Sequence, residues 1–144
     1  MATYQFHATT TRSASEVFAY FADMVNAPSW DPSISSVVRL DEGAVAQDSS
    51  FLVTLGFLGR DLALTYRLVT FEPPTRVVLR AETKLFVSED EITVARLDDG
   101  TTALEYVARL SAQRGTRLLD PLFRIAINHF GTRAGQILRQ EYLR

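Results

Sequence analysis

Tyr66 and Tyr106 are the residues of this chain best suited to meet a ligand. Each lies on a stretch of alternating apolar positions, Leu62-Leu64-Tyr66-Leu68 and Leu104-Tyr106-Ala108-Leu110. Period-two alternation points to strands with these side chains on the buried face. A buried phenol needs a hydrogen-bond partner, and a ligand carbonyl or hydroxyl could be one. Asp90 is the candidate proton carrier, because burial raises a carboxyl pKa towards the range where general acid–base catalysis works. Its charged neighbours in the strand region, Arg67, Arg80, Glu82, Glu91, Glu105 and Arg109, alternate with apolar residues and belong on a wetted outer face. Asp90 acts as an acid or base only if its strand turns it inward.

Other routes to catalysis are thinly supplied. His7 shares a strand face with Gln5 and Thr9, which predicts a surface or rim position. His129 flanks an apolar helical stripe and is expected at its edge. There is no cysteine, so thiolate zinc sites, disulfides and cysteine nucleophiles are excluded. Gly56-Phe57-Leu58-Gly59-Arg60 lacks the lysine of a phosphate-binding loop. The serine pairs Ser35-Ser36 and Ser49-Ser50 have no suggestive His and Asp partners. No catalytic residue, metal ligand or cofactor is assigned on this basis.

The elements that must position these groups follow from the same patterning. Tyr4 to Thr11 reads as a strand. Ser13-Ala14-Ser15-Glu16 is a capping box, followed by a short helix carrying Val17, Phe18, Phe21 and Ala22 and broken at Asn26-Ala27-Pro28. Strands are expected at 34–40, 50–55, 62–68, 77–83, 87–97 and 104–110. They are separated by turn signals at Gly43, Gly56 to Gly59, Glu72-Pro73-Pro74-Thr75 and Asp98-Asp99-Gly100. Gly43, Gly56 and Gly59 are candidate bend or bulge positions. Asp120-Pro121 opens a long helix whose apolar residues Leu119, Leu122, Phe123, Ala126, Ile127, Phe130, Ala134, Ile137 and Leu138 fall on one side. Short turns between strands predict an antiparallel meander, and helices at both ends of the strand run make the fold class α+β.

The totals suit one domain, residues 1–144, with a real core: 47% hydrophobic and 22% charged over 144 residues. A net charge of -2 argues against nucleic acid or an anionic membrane as partner. Arg114, Arg117, Arg124, Arg133, Arg139 and Arg144 are expected to form the solvated side of the last helix. No apolar run suits a signal peptide or a membrane span, so a cytoplasmic protein without stable membrane insertion is expected.

The run Ser15-Glu16-Val17-Phe18-Ala19-Tyr20-Phe21-Ala22-Asp23, then Asn26 and Trp30-Asp31-Pro32, resembles the START-related SRPBCC superfamily, which includes the birch-pollen allergen fold and the polyketide cyclase/dehydrase proteins. Weaker echoes follow at Gly59-Arg60, Tyr66, Glu72-Pro73-Pro74-Thr75-Arg76 and Gly100-Thr101-Thr102. The resemblance implies a helix-grip fold: a curved antiparallel sheet of six or seven strands around a long C-terminal helix, with two short helices after the first strand. It implies that Trp30 lies near a cavity mouth and that Asp23 ends a helix rather than acting as an acid. It also implies an apolar cavity between helix and sheet. The expected wall is Phe21, Trp30, Phe51, Val53, Leu64, Tyr66, Leu79, Tyr106, Phe123, Ile127 and Phe130. Such a fold hosts many activities. Three readings stand at this point: a binding protein or carrier for a small hydrophobic molecule such as a lipid or polyketide, a polyketide cyclase/aromatase-type enzyme, or a protein-interaction or stress-related module with a vestigial cavity. Phe57 and Leu58 at a turn tip would be the surface of a homodimer in the last case.

Overall fold

The computed structural model describes residues 1–142 except Leu58, Arg114 and Thr116, and describes only the backbone of Phe57, Arg117, Phe130 and Glu141. Seven strands form one sheet: β1 (Ala2–Thr10), β2 (Ile34–Arg39), β3 (Ser50–Phe57), β4 (Arg60–Glu72), β5 (Arg76–Glu82), β6 (Phe86–Arg96) and β7 (Thr102–Ala112). Their order across the sheet is β1-β7-β6-β5-β4-β3-β2, antiparallel throughout. From β2 to β7 the chain is therefore a meander, as its short turns dictate. β1 then joins beyond β7, which makes β1 and β2 the two edges.

The Asp98-Asp99-Gly100 turn shows the local logic. Gly100 takes φ +86, a conformation that costs a glycine little, and Asp99 Oδ1 accepts from the Thr101 amide and hydroxyl. The irregularities that bend the sheet fall elsewhere than at Gly43, Gly56 or Gly59. They lie between Ile34 and Ser36 on β2 and between Leu68 and Thr70 on β4.

Helix α1 (Ala14–Ala22) starts where the capping box puts it: the Ser13 hydroxyl accepts from the Glu16 amide at 3.1 Å. The Glu16 carboxylate pairs with Arg12 instead of closing the box. The helix stops at Asp23, before the expected break at Asn26-Ala27-Pro28, because Asp23 caps a second element. Its Oδ1 accepts from the Val25 amide and opens a 3-10 helix over Met24–Ser29 that contains Pro28. These are the two short helices expected after the first strand.

Helix α2 (Asp120–Ile137) begins at Asp120-Pro121 and continues as a π-helical turn, Leu138–Tyr142. It lies over β1 and β7. Phe123, Ala134 and Leu138 are buried there, whereas Leu122 is exposed. The apolar stripe is wider than the surface that receives it, so a residue at its border stays outside. Two glycines set how close the helix comes. A Cβ on Gly131 would sit 2.5 Å from the Tyr4 ring, and one on Gly135 2.8 Å from the Phe6 ring. The chain end is tied back to α1. Tyr142 stacks on Tyr20 with centroids 3.9 Å apart, and the Arg12 guanidinium lies over the Tyr142 ring.

The fold is an α+β helix-grip: a seven-stranded antiparallel sheet closed by a long C-terminal helix and two short ones. A single buried cluster runs from Phe6 and Phe18 through Phe51, Leu68 and Ile92 to Phe123 and Leu138.

Candidate functional site: a cavity with a carboxyl partition

Two adjoining cavities lie between the sheet, α2 and the 3-10 helix. The larger, about 130 Å³, is walled by β1, β4, β6, β7 and α2, and the smaller, about 50 Å³, by α1, the 3-10 helix and the sheet. Trp30, Asp31, Leu55, Tyr66, Asp90 and Tyr106 line both. These six residues are therefore the partition between the two chambers, and most of the site's polar groups are in it.

Strand phase puts them there. On β6, Phe86, Ile92 and Val94 are buried, which fixes the inward face as the even-numbered one. Ser88 and Asp90 share that face. Glu89 and Glu91 point outward, where Arg76 meets Glu91 at 2.7 Å and Arg109 meets it at 3.2 Å. Asp90 is the exception in a row of acidic residues that the outer arginines otherwise neutralise.

Inside, the hydrogen bonds are between polar side chains. Tyr66 Oη and Ser88 Oγ are 2.8 Å apart, bridging β4 to β6 across the small Ala81, which pairs with Ser88 on β5. Asp90 accepts a hydrogen bond from Tyr106. The two are diagonal neighbours, since Asp90 pairs with Ala108 and Ile92 with Tyr106. Asp31 comes from the loop after the 3-10 helix. Its Oδ1 accepts from the Ser33 amide at 2.9 Å and the Ser33 hydroxyl at 2.6 Å. Trp30 stands edge-on to Tyr106, centroids 5.6 Å apart, and packs against Phe21 at 5.7 Å.

The electrostatics follow from this enclosure. The surface Asp90 retains borders the cavities, so burial pushes its pKa up to about 7; the Tyr106 hydrogen bond opposes that, and the charges of Asp31 and Glu89 add to it. Burial also raises Asp31, against the two Ser33 bonds. Both phenols are held well above their ordinary range, by burial first and by the Asp90 charge second. No Lys, Arg or His among the described residues lines either chamber.

Of the expected wall residues, Trp30, Leu64, Tyr66, Tyr106 and Ile127 line the larger chamber, and Phe21, Trp30, Leu79, Tyr66 and Tyr106 the smaller. Phe51, Val53 and Phe123 do not line either. Phe51 and Val53 share a face with Leu55 but sit farther along β3, fully packed, and Phe123 is packed edge-on against Phe86. The Phe130 side chain, the Phe57–Leu58 tip, and Arg114, Arg117 and Arg144 lie outside the described residues. Two corrections concern polar groups. Tyr66 and Tyr106 find protein partners, Ser88 and Asp90, where a ligand oxygen was one candidate. Asp31 and Ser88 join the site without having been foreseen. The apolar phase of Phe86, Ile92 and Val94 was the available signal for Ser88; Asp31 had none beyond its place after Trp30. His7 is exposed beside Glu105, and His129 is exposed on α2.

Among the described residues, no group of three or more His, Cys, Asp or Glu is arranged to hold a metal ion. No helix among the described residues is long and apolar enough to cross a membrane.

The family described as polyketide cyclase/dehydrase and lipid transport matches residues 1–137. The chain belongs to that family. No curated protein matches it in sequence. Among solved structures it is similar to an aromatase/cyclase, Zhui, from Streptomyces sp. R1128, with a TM-score of 0.78 at 15% identity over 96% of this chain and 92% of that one. A START superfamily protein from Mycobacterium smegmatis superposes with a TM-score of 0.70 at 12% identity, covering 96% and 97% of the two chains. The protein Ara h 8.0201 does so at 0.63 and 14% identity, covering 95% and 97%. At these identities the likeness is one of fold.

Proposed function

We propose that this member of the family binds a small, mainly apolar molecule with one polar end. The observation that carries the reading is the partition: an apolar cavity whose polar groups converge on one wall. Its size supports a modest ligand. A cavity of about 130 Å³ is close to the roughly 150 Å³ that accommodates a single aromatic ring. The smaller chamber leaves room for a short arm beyond the partition. Burying about 150 Å² of aromatic surface is worth about 4 kcal/mol at roughly 25 cal/mol per Å², or a Kd near millimolar. Useful affinity must therefore come from the polar wall, which orients the ligand as well.

Native mass spectrometry of the purified protein tests this. The expected result is a retained or readily taken-up molecule of one or two rings, lost when Ala108→Leu fills the chamber without changing the circular dichroism. Failure to bind any such molecule, or binding that survives Ala108→Leu, refutes the proposal.

A second reading is favoured by the Asp90–Tyr106 pair. A carboxyl that titrates near neutral pH, hydrogen-bonded to a phenol, is suited to move a proton, and a cyclase/aromatase-type reaction would use it on a ligand held at the partition. Asp90→Asn would then abolish turnover of a bound substrate. Turnover unaffected by that change removes Asp90 from the chemistry.

A further inference from the structure

We propose that the cavity's ligand is a small aromatic or apolar amine, held as its ammonium ion between Asp31, Asp90 and the rings of Trp30, Tyr66 and Tyr106. This rests on the binding function proposed above and names its ligand class.

The first ground is an imbalance of charge. Asp31 and Asp90 border both chambers, Asp23 also borders the smaller one, and among the described residues no basic side chain borders either. Three arginines on these strands are spent on the other face: Arg76 and Arg109 serve Glu91, and Arg80 lies 3.9 Å from Glu89. A buried carboxylate without a cation is costly unless something supplies the charge. The face of α2 over the cavity, Ala126, Ile127, Gly131, Ala134, Gly135 and Leu138, carries no titratable group.

The second ground is unused acceptor capacity. Both bonds from Ser33 fall on Asp31 Oδ1, and Oδ2 receives none among the described residues. An ammonium group has three donors and no acceptor, so it complements a wall of carboxyl and phenol oxygens. The third ground is the aromatic lining. Trp30, Tyr66 and Tyr106 surround the same partition, and aromatic rings attract a desolvated cation through their quadrupoles. A carboxylate ligand would meet two acids there and no base. A neutral alcohol would use the cavity but leave the charge unmatched.

pH separates these cases. The groups facing Asp90 are Tyr106 on β7, Tyr66 on β4 and Asp31 before β2, with Glu89 behind it on the outer face and Asp23, at the end of α1, bordering the smaller chamber. Inside the cavity, Asp90 and Asp31 change charge below the range of the phenols. As pH rises the acids ionise, so an amine that remains protonated binds more tightly, and a carboxylate more weakly.

The experiment is calorimetric titration of phenethylamine, hydrocinnamate and hydrocinnamyl alcohol, three probes with a phenyl ring on a chain of two or three carbons, into the wild-type protein and into Asp90→Asn and Asp31→Asn. The expected result is that phenethylamine binds at least about tenfold more tightly than either other probe, and that its affinity rises severalfold between about pH 6 and about pH 8. Asp90→Asn should cost it about tenfold and flatten that slope, with alcohol binding retained as the sign of an intact cavity. If a variant loses alcohol binding as well, the wild-type ranking and slope decide. Hydrocinnamate or the alcohol matching or exceeding the amine overturns the amine assignment and leaves cavity binding standing. If none of the three binds, both fail.

Discussion

Asp90 shows how one residue's phase along a strand changes its chemistry. Its neighbours Glu89 and Glu91 face water and arginine, and Asp90 faces Tyr106 and a void. Its folded pKa of about 7 exceeds the ordinary 3.8, so the native state holds this proton more tightly than the unfolded chain does. The stability that protonation confers is full below about pH 3.8 and is lost as pH rises through about 7. A gap of roughly 3 pKa units (7 less 3.8) sets a ceiling of about 4 kcal/mol on that loss. Asp90→Asn, which cannot ionise, should therefore gain on the wild type as pH climbs across this window, by up to that amount in the ligand-free protein. Urea denaturation at several pH values reads the difference directly. A difference that stays constant would mean that Asp90 titrates as a solvated acid.

At the scale of elements, α2 is held by few deep contacts. Phe123 is 1% exposed and meets Phe86 edge-on at 5.7 Å, while Leu122 and Ile125 on the same helix are exposed. Phe123→Ala should cost about 3–5 kcal/mol, seen as a lower urea midpoint with an unchanged slope. A loss under about 1 kcal/mol would mean that α2 is anchored mainly elsewhere. Periodicity made these elements legible. The alternation of Leu62 to Leu68 and Leu104 to Leu110, the Ser13 cap and the Asp120-Pro121 start all survive in the structure. Alternation reveals which face a side chain takes and says nothing of what packs over it. That is why Phe51 and Val53, on the same face as Leu64 and Tyr66, proved to be solid core. Asp31 escaped for another reason. It sits in a loop, and its inward course depends on Trp30 packing against Phe21 and Tyr106, contacts distant in sequence.

For the molecule as a whole, the cavity is a gap in an otherwise continuous core. Voids forgo dispersion contacts on their lining, so the empty protein is less stable than a filled one. A ligand present at about a hundred times its Kd should add about 2.7 kcal/mol, visible as a higher melting temperature that depends on ligand concentration. The same ligand should leave the melting temperature of Ala108→Leu unmoved; a rise there as large as in the wild type would locate binding outside the chamber. The clearance above the sheet is set by two absent methyl groups. Gly131 rests on Tyr4 and Gly135 on Phe6, and Tyr4, Phe6 and both glycines also line the larger chamber. The pair acts as a spacer of minimum thickness: any larger residue at either position would jack the helix upward like a shim. Ceiling height, and with it the bulk of admissible guest, is thus written in two positions outside the carboxyl partition. Size selection and charge selection can vary independently in this scaffold.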